Sequence, residues 1–378
     1  MRLSVVIVTT LGLAVLLLAP ATAASKPARV GLVTFTEASL NVAKGTASLT
    51  VDWPDARGAR KYQIFVSRSY SMAKAQTFTS STSRKKITGL ARGVDYFVQV
   101  RGVNGSAVGS KSKRSGHSTI RDQSRTPGPT YRVMTYNVCS DKCSGWESGR
   151  SAAAAARVRS FSPDVIALQE AKKAAFTPAD LAGYTQVAYA SAKHLYVRTA
   201  RFAVAASGSV QLSPGRFAVW GETIDHQADG RRVFFVSAHL TPGKSDKAAR
   251  LRQAETKVLI DAMRAVNPAN HPVVYAGDFN SHKNRGNDYV APVFQAAGLY
   301  DAFDLAETLT RQHHNSYSGL GPKPAIGITW GDHVDHVWVD PTTTRVTSWT
   351  NGVHVRSGRI VTPVPSDHSP IVVDLQLG

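Results

Sequence analysis

The stretch Val274-Tyr-Ala-Gly-Asp-Phe-Asn-Ser281 decides the fold of the C-terminal half of this 378-residue chain. It continues an apolar run that starts after Pro272, as a buried strand does, and it ends in the polar residues Asp278 and Asn280. A lone segment of this kind is usually a strand-to-loop turn. The same arrangement, an apolar strand closed by a polar residue, nevertheless recurs along this half of the chain.

Polar residues close five further segments, and their types suit one task. Carboxylates and amide oxygens are hard ligands for Mg²⁺ or Ca²⁺, and histidines can transfer protons. The groups are spread over about 230 residues, yet strand ends can converge at one sheet edge, where ligand sites tend to form. They are Asn137 in Met134–Asn137, Glu170 after Asp164–Gln169, His239 in Phe235–His239, Asp335 in Asp332–Val339, and Asp367 with His368 in Ser366–Pro370.

Helical segments lie between these strands. Arg150–Phe161 is an alanine-rich helix by composition, and about Ser245 to Val266 is a long one. Helices interspersed with apolar strands predict a layered α/β or α+β fold. Within the strand around Asp335, the period of two predicts that His336 points away from Asp335 and that His333 shares its face.

The whole set of motifs resembles the endonuclease/exonuclease/phosphatase superfamily, the deoxyribonuclease-like fold, over residues 131–378. The resemblance implies a C-terminal α/β four-layered sandwich, with two mixed sheets face to face and helices outside. It rests on Thr135-Tyr136-Asn137, Leu168-Gln169-Glu170, Ala238-His239-Leu240, Gly277-Asp278-Phe279-Asn280, Val334-Asp335-His336 and Ser366-Asp367-His368.

The resemblance also implies a metal site. Glu170 would bind a divalent cation, assisted by Asn137 and Asp367. Mg²⁺ is the expected ion, with Mn²⁺ or Ca²⁺ as alternatives. Arg216 resembles a family arginine that contacts phosphate, although a surface salt bridge would also explain it.

The remaining matching residues are implied to carry the reaction. Asp278 and Asn280 would position the scissile phosphate and the attacking water, or hold a second metal. His239 and His368 would flank the phosphate, one as general base and the other as general acid. Asp335 would orient and charge-stabilise His368.

This constellation predicts a metal-dependent phosphodiesterase, foremost a nuclease that hydrolyses extracellular DNA or RNA with an activated water. The alternative is a phosphatase or phosphodiesterase acting on phospholipid, as a sphingomyelinase does, or on small phosphoesters. A non-catalytic polyanion-binding protein is the third hypothesis. Against it, none of Glu170, Asp278, His239 and His368 is missing. We expect a monomer.

The N-terminal part has a different pattern. Short alternating strands bounded by turn residues predict an all-β sandwich for residues 30–118. Trp53, then Tyr62, then Leu90 shortly before Tyr96 resemble a fibronectin type III module, and such modules are spacers or binders. Residues 119–130 are polar and end in Pro-Gly-Pro-Thr, which is typical of a linker. The predicted strands are Ala47–Trp53, Tyr62–Ser67, Lys86–Leu90 and Tyr96–Val103.

Charge is concentrated in this N-terminal part. The chain has 45 Lys and Arg against 26 Asp and Glu, a formal net charge of +19. Residues 25–128 hold 18 basic and 5 acidic residues, and residues 129–378 hold 26 and 21. The basic excess is either a solubilising surface or a tether to a polyanion or a cell surface, whose affinity would fall with salt.

The first residues read as an export signal. Arg2 precedes the apolar run Val5–Leu18, and Ala21-Thr-Ala23 offers small residues for cleavage, so residues 1–23 are predicted to be a signal peptide. A membrane anchor is the alternative, but a run of about 14 residues is shorter than the ~20 that span a bilayer. We therefore expect a secreted protein without a transmembrane segment in the mature chain.

Both cysteines lie in Cys139-Ser-Asp-Lys-Cys143. In a secreted chain they are expected to form a disulfide across a tight loop. A metal or redox pair is the alternative, which the lack of nearby Cys or His partners disfavours.

Overall fold

The structure is a computed structural model that describes residues 24–283, 285–326 and 332–378. The predicted signal peptide lies outside the described residues. The N-terminal part forms strands β1 (Thr34–Asn41), β2 (Thr46–Asp52), β3 (Lys61–Ser67), β4 (Gln76–Ser80), β5 (Arg84–Leu90), β6 (Asp95–Asn104), β7 (Ala107–Val108) and β8 (Ser115–Ser118).

These strands form two sheets that face each other. Strands β1, β2 and β5 make one sheet, and β4, β3, β6 and β7 make the other, with β8 paired to β6. Alternate residues point inward, so that Phe35, Val51, Ile64 and Val100 are fully buried in one core. The four strands read from the sequence are present within a residue or two of their predicted bounds. The assignment to the fibronectin type III family stays a prediction.

The C-terminal part is also rich in strands. Among the described residues, no helix is long and apolar enough to cross a membrane. The helices are α1 (Ser151–Phe161), α2 (Asp246–Val266), α3 (Val290–Ala296) and α4 (Ala302–Leu305), and Trp146–Arg150 forms an irregular turn before α1 in which Ser148 and Gly149 lack helical backbone angles. The strands are β9 (Thr130–Asn137), β10 (Val165–Gln169), β11 (Tyr184–Ala190), β12 (Lys193–Arg198), β13 (Phe202–Ser213), β14 (Arg216–Asp225), β15 (Arg231–His239), β16 (Val273–Asp278), β17 (Tyr300–Asp301), β18 (Thr308–Thr310), β19 (Asp335–Val339), β20 (Thr344–Asn351), β21 (Val355–Arg356), β22 (Arg359–Ile360) and β23 (Ile371–Leu377).

Two mixed sheets form the centre of this part. One has the order β11-β12-β10-β9-β23-β20-β18 and the other β13-β14-β15-β16-β19-β17. In β9, Tyr131 and Val133 face the second sheet, while Met134 and Tyr136 face α1 on the outside. This alternation gives strand β9 two apolar faces, as the inner strand of a layered fold requires.

Helix α2 covers the outer side of the second sheet. Leu259 and Met263, one turn apart on the helix, are fully buried against Phe234 and Val236 of β15. The helix begins after Ser245, whose hydroxyl accepts a hydrogen bond from the Ala248 amide, the usual N-cap arrangement. The order of layers is therefore helix, sheet, sheet, helix, which agrees with the four-layered sandwich expected from the resemblance.

The two parts of the chain share a continuous sheet. Strand β1 pairs with β18 at Glu37 and Thr308, which joins the N-terminal sheet edge to edge with the first C-terminal sheet in a ten-stranded path. The segment 119–130 is packed in its first part: Ile120 is buried, and the Gln123 side-chain amide donates to the Leu305 carbonyl and accepts from the Val346 N–H. Residues 125–127 are exposed, and the assignment of 119–130 as a linker stays a prediction.

Candidate active site

The predicted polar residues meet where the strand ends of the two sheets converge. Strands β9 and β10 run parallel, with Asn137 opposite Gln169, so that Glu170 follows at the same edge. Strands β15 and β16 also run parallel, and their last pair is His239 opposite Asp278. Asp335 begins the antiparallel strand β19 beside Asp278. The parallel pairing of neighbouring strands therefore brings residues that are distant in sequence to the same end of the sheets.

Hydrogen bonds link the inner faces of the sheets just below this edge. The Gln169 amide donates to Ser237 Oγ at 3.1 Å, and Ser237 Oγ donates to the Leu168 carbonyl at 3.0 Å. Gln169 and Ser237 are fully buried. Because buried polar groups are costly without partners, these bonds fix the spacing between β10 and β15 directly beneath the site.

Asp278 lies at the centre of the cluster and is buried. Its Oδ2 accepts a hydrogen bond from Asn137 Nδ2 at 3.0 Å. The same oxygen lies 3.5 Å from His239 Nε2 and 3.7 Å from His368 Nε2. Its Oδ1 accepts the Asn280 N–H at 2.9 Å. The two imidazoles, from strand β15 and the loop before β23, therefore flank one carboxylate.

His368 is held by a second carboxylate. Its Nδ1 lies 2.8 Å from Asp335 Oδ2, and both side chains are buried. Burial alone would lower the pKa of His368, but the charges of Asp335 and Asp278 outweigh it and raise the pKa to about 10. Burial and the Asp335 charge raise the pKa of Asp278 to about 7. The imidazole of His368 is therefore a proton carrier with a fixed orientation.

The pKa of His239 is lowered, whereas that of His368 is raised. Burial, together with the positive charges of Arg216 and Lys193, holds the pKa of His239 well below its ordinary value. Its imidazole is therefore neutral, and its Nε2 lies 3.9 Å from Glu170 Oε1. The two histidines thus differ in protonation although both face Asp278.

Glu170 directly follows strand β10 in a left-handed backbone conformation, with φ of 49°. Its carbonyl accepts hydrogen bonds from the N–H and the hydroxyl of Ser140, both at 2.9 Å. Its carboxylate lies 3.4 Å from Lys142 Nζ and 3.9 Å from His239 Nε2, and it makes no shorter hydrogen bond or ion pair with the described residues. A left-handed backbone conformation is strained in a residue other than glycine, and it persists only where surrounding contacts hold it. Such strain is concentrated at functional sites.

Asp367 and the cysteines lie beside the cluster. Cys139 and Cys143 form the expected disulfide, and an Asp367 carboxylate oxygen lies within 4.8 Å of both sulfurs. Ser366 Oγ donates to the Asn137 carbonyl at 2.7 Å, which ties the Asp367 loop to the end of β9. The structure therefore places Asp367 next to the Asn137 backbone, without a direct contact to the Glu170 carboxylate among the described residues.

The side chains of Asn280 and Arg216 act on the cluster indirectly, one through a hydrogen bond to the backbone and the other through its charge. Asn280 adopts a φ of 51° and its side-chain amide donates to the Leu240 carbonyl at 3.1 Å, so that it holds the chain after His239. Arg216, at the start of β14, makes no ion pair in the described part of the chain. It acts on His239 and Lys193 through its charge.

Sequence reasoning missed Lys193. It begins strand β12 and is buried, and its Nζ donates to the Ser191 carbonyl at 2.5 Å. Burial and the charge of Arg216 lower the pKa of Lys193 to about 8. The one available signal was a lysine opening the apolar strand Lys193–Arg198, and charged strand ends are common in solvent.

The alternation expected around Asp335 is present for His336. Whereas Asp335 faces His368, His336 Nδ1 lies 2.7 Å from Asp301 Oδ2 and its Nε2 lies 2.8 Å from the Ser281 carbonyl. Both ring nitrogens face oxygen acceptors, so only the imidazolium satisfies both. Burial opposes that charge, but Asp301 outweighs it and raises the pKa of His336 to about 9.

This pair predicts a pH-dependent stability. Because the folded pKa of His336 lies above its unfolded value of about 6.5, its contribution is complete below pH ~6.5 and is lost as the pH rises to ~9. We expect His336→Gln to lower the free energy of unfolding by roughly 2–3 kcal/mol at pH 6, and by much less at pH 9.5. Urea unfolding at both pH values measures this, with the exposed His226→Gln as control. A loss independent of pH would contradict the assignment.

A family comparison decides the class of this site. The sequence model of the endonuclease/exonuclease/phosphatase family matches residues 134–368, which contain every residue of the cluster. The chain belongs to this family. Members of the endonuclease/exonuclease/phosphatase family are hydrolases acting on phosphoester bonds, and they generally use divalent metals.

Solved structures share the fold. A family protein from Bacteroides thetaiotaomicron is 20% identical with a TM-score of 0.55, covering 66% of this chain and 99% of that one. The human nocturnin catalytic domain, solved with a bound sulfate anion, is 19% identical with a TM-score of 0.51, covering 66% and 96%. No curated protein matches the chain. At these identities the likeness shows the fold alone.

Proposed function

We propose that the protein is a secreted, divalent-metal-dependent phosphodiesterase whose substrate is DNA or RNA. The observation that carries the proposal is the pair of imidazoles that flank Asp278, one neutral and one held by Asp335, beside the Glu170 carboxylate. A phosphodiester needs a base for water and an acid for its leaving oxygen, and this arrangement offers both at one point.

The oxygen donors at the site fit a divalent cation. Glu170, Asn137 and Asp367 are the proposed ligands, and carboxylate and amide oxygens are what Mg²⁺ prefers. The Glu170 carboxylate makes only long contacts within the described residues, 3.4 Å to Lys142 and 3.9 Å to His239, so it retains capacity to bind an ion. When bound, such an ion would offset the phosphate charge and stabilise the leaving oxygen.

The protein's own groups would then move the protons. His239 Nε2, neutral, accepts a proton from water as the water oxygen bonds to phosphorus. His368 Nε2 donates its proton to the leaving oxygen as the bond from phosphorus to that oxygen breaks. Asp335 stabilises the imidazolium of His368, and Arg216 with Lys193 supplies positive charge on the His239 side. No covalent enzyme intermediate is formed.

Charge favours nucleic acid among the phosphoesters. The formal net charge of +19 attracts the protein to polyanions such as nucleic acid. A small phosphoester carries too little charge to gain from this attraction. Export through the predicted signal peptide would put the enzyme outside the cell, in an oxidising environment that suits the Cys139–Cys143 disulfide. Extracellular DNA or RNA is the substrate that accounts for both the basic charge and the predicted export.

A panel of substrates tests the proposal. The purified mature chain is assayed in Mg²⁺ against plasmid DNA, RNA, sphingomyelin vesicles and bis(p-nitrophenyl) phosphate. We expect cleavage of nucleic acid at least about a hundredfold faster than of the lipid, because the basic surface recruits only the polyanion. Preferential hydrolysis of sphingomyelin or of the small diester, with nucleic acid intact, would replace the proposal by its alternative.

A further inference from the structure

Several cations of the N-terminal sandwich have no carboxylate partner within the described residues, and one group of them is ordered by neighbouring aromatic and amide groups. All five carboxylates of residues 24–129 have partners elsewhere: Glu37 and Asp52 with Arg84, Asp122 with Arg92, Asp55 with the Tyr62 hydroxyl, and Asp95 with the Ser118 hydroxyl. The outer face of the sheet that contains β3 and β6 carries cations instead. We define it as the basic face, formed by Gln63, Phe65, Tyr70, Arg101, Lys111 and Arg114.

Neutral groups hold the cations of the basic face in place. Arg101 Nε donates to Gln63 Oε1 at 2.7 Å, and its guanidinium lies 5.3 Å from the Phe65 ring centroid. Lys111 Nζ lies 3.9 Å from the same centroid. In the part of the chain that the structure describes, neither cation has a carboxylate within ion-pair distance. The charges are thus ordered before any ligand arrives, which lowers the entropic cost of binding.

A second aromatic group extends the face. Arg114 donates to the Tyr70 carbonyl at 2.7 Å and its guanidinium lies 4.0 Å from the Tyr70 ring centroid. The Tyr70 ring meets Phe97 edge to face at 5.5 Å and Tyr70 is 52% exposed. Exposed rings and guanidinium planes are platforms on which unpaired bases stack, whereas a duplex or a sulfated polysaccharide needs the charge alone.

Strand β6 leads from the basic face towards the loop after β16 that carries Asn280. Strand β6 carries Arg101 and begins at Asp95, whose partner Ser118 accepts a hydrogen bond from Lys283 at 2.9 Å. Lys283 lies three residues after Asn280. From Asp95 to Arg101 is about 20 Å at ~3.3 Å per strand residue, and the loop adds at most ~10 Å. At ~3.4 Å per nucleotide, about nine nucleotides of a stacked strand cover that path.

We propose that the basic face binds a single strand of nucleic acid and presents it to the active site. Phosphates would lie on Arg101, Lys111 and Arg114, and a base would stack on Tyr70 or on the guanidinium above it. This inference rests on the proposed nuclease function for the identity of the substrate. Binding itself does not require turnover and is measured separately.

Affinity is measured on the full chain carrying His239→Gln, so that cleavage of the strand is slow on the timescale of the titration. A fluorescent 15-nucleotide single strand is titrated across salt concentrations. Arg101→Gln/Lys111→Gln/Arg114→Gln is expected to weaken binding at least about tenfold at 50 mM salt and to reduce the slope of log affinity against log salt by about 2, at ~0.7 per cation. Lys44→Gln/Lys85→Gln/Lys86→Gln removes the same charge from strand β5 of the opposite sheet and from the β1–β2 turn, and it is the control. Equal losses in both triple variants would overturn the proposal.

The aromatic part has its own test. Tyr70→Ala is expected to weaken single-strand binding about fivefold or more, whereas Tyr70→Phe keeps it, because stacking needs the ring and not the hydroxyl. Duplex DNA and heparin should show no response to Tyr70→Ala. If they respond equally, or if they bind more tightly than the single strand, the face is a general polyanion tether and the single-strand assignment fails.

Measurements of strand cleavage distinguish a failure of this inference from a failure of the proposed function. With His239 intact, the triple variant of the basic face should raise the KM for the 15-nucleotide strand and leave the cleavage of a four-nucleotide strand unchanged. A wild-type chain that binds the strand through this face but cleaves no nucleic acid would refute the proposed function and retain the binding surface. Cleavage with no effect of the triple variant on KM would refute the surface alone.

Discussion

His239→Gln is expected to lower the rate of phosphodiester hydrolysis by about a thousandfold at neutral pH, in the range of ~10²–10⁴ for loss of a general base. The imidazole is buried and neutral, and its Nε2 lies between Asp278 and Glu170 at 3.5 and 3.9 Å. Glutamine approximates its size, but its amide cannot take a proton from water. Single-turnover cleavage of a labelled strand measures the effect on chemistry rather than on product release.

His226→Gln is the matched control for this change, because His226 is exposed and lies outside the cluster. It should retain wild-type rates. Thermal unfolding of both variants checks that the buried site is intact. A His239→Gln enzyme that is folded and retains more than about a tenth of the wild-type rate would remove His239 from the reaction.

Asp335→Asn is expected to lower the rate by about a thousandfold as well, because the amide no longer stabilises the imidazolium of His368. The Asp335 charge is the main reason why the pKa of His368 is raised to about 10, while burial opposes it. Without that charge the pKa falls, so that less His368 is protonated at pH 8 than at pH 6. The residual activity of Asp335→Asn should therefore be higher at pH 6, and rate profiles from pH 5 to 9 measure this.

The pairing of Asp335 with His368 also predicts how substitutions at the two residues combine. If Asp335 acts through His368, the double variant Asp335→Asn/His368→Ala should be about as slow as His368→Ala alone, since residues that act as a unit are not additive. Losses that multiply would show that Asp335 has a separate role. His368→Ala by itself leaves Asp335 buried without a partner, so unfolding is monitored alongside.

The sequence was most informative where local pattern and chemistry coincide. Val274–Ser281 reads as a buried strand with polar residues at its end, and it forms β16 with Asp278 at the centre of the cluster. The alternation of Asp335 and His336 was readable because a strand has a period of two, and each faces a different partner.

Features that depend on packing between distant segments were not readable. The contact between β1 and β18, which joins the two parts into one sheet, leaves no local signal in either strand. Lys193 reaches the site because β12 pairs with β10, and only that register places it near Glu170 and His239. The hydrogen bonds of Gln123 likewise depend on residues more than 180 positions away.

Metal-dependent cleavage of DNA tests the central claim most directly. Supercoiled plasmid is incubated with the chelator-treated mature chain and its Glu170→Gln variant while Mg²⁺ is added back over a wide range. The account predicts no nicking in EDTA, recovery on addition of Mg²⁺, and a Glu170→Gln enzyme that needs far more Mg²⁺ or stays inactive. Nicking that persists in EDTA, or that is equal in Glu170→Gln at every Mg²⁺ concentration, would contradict it.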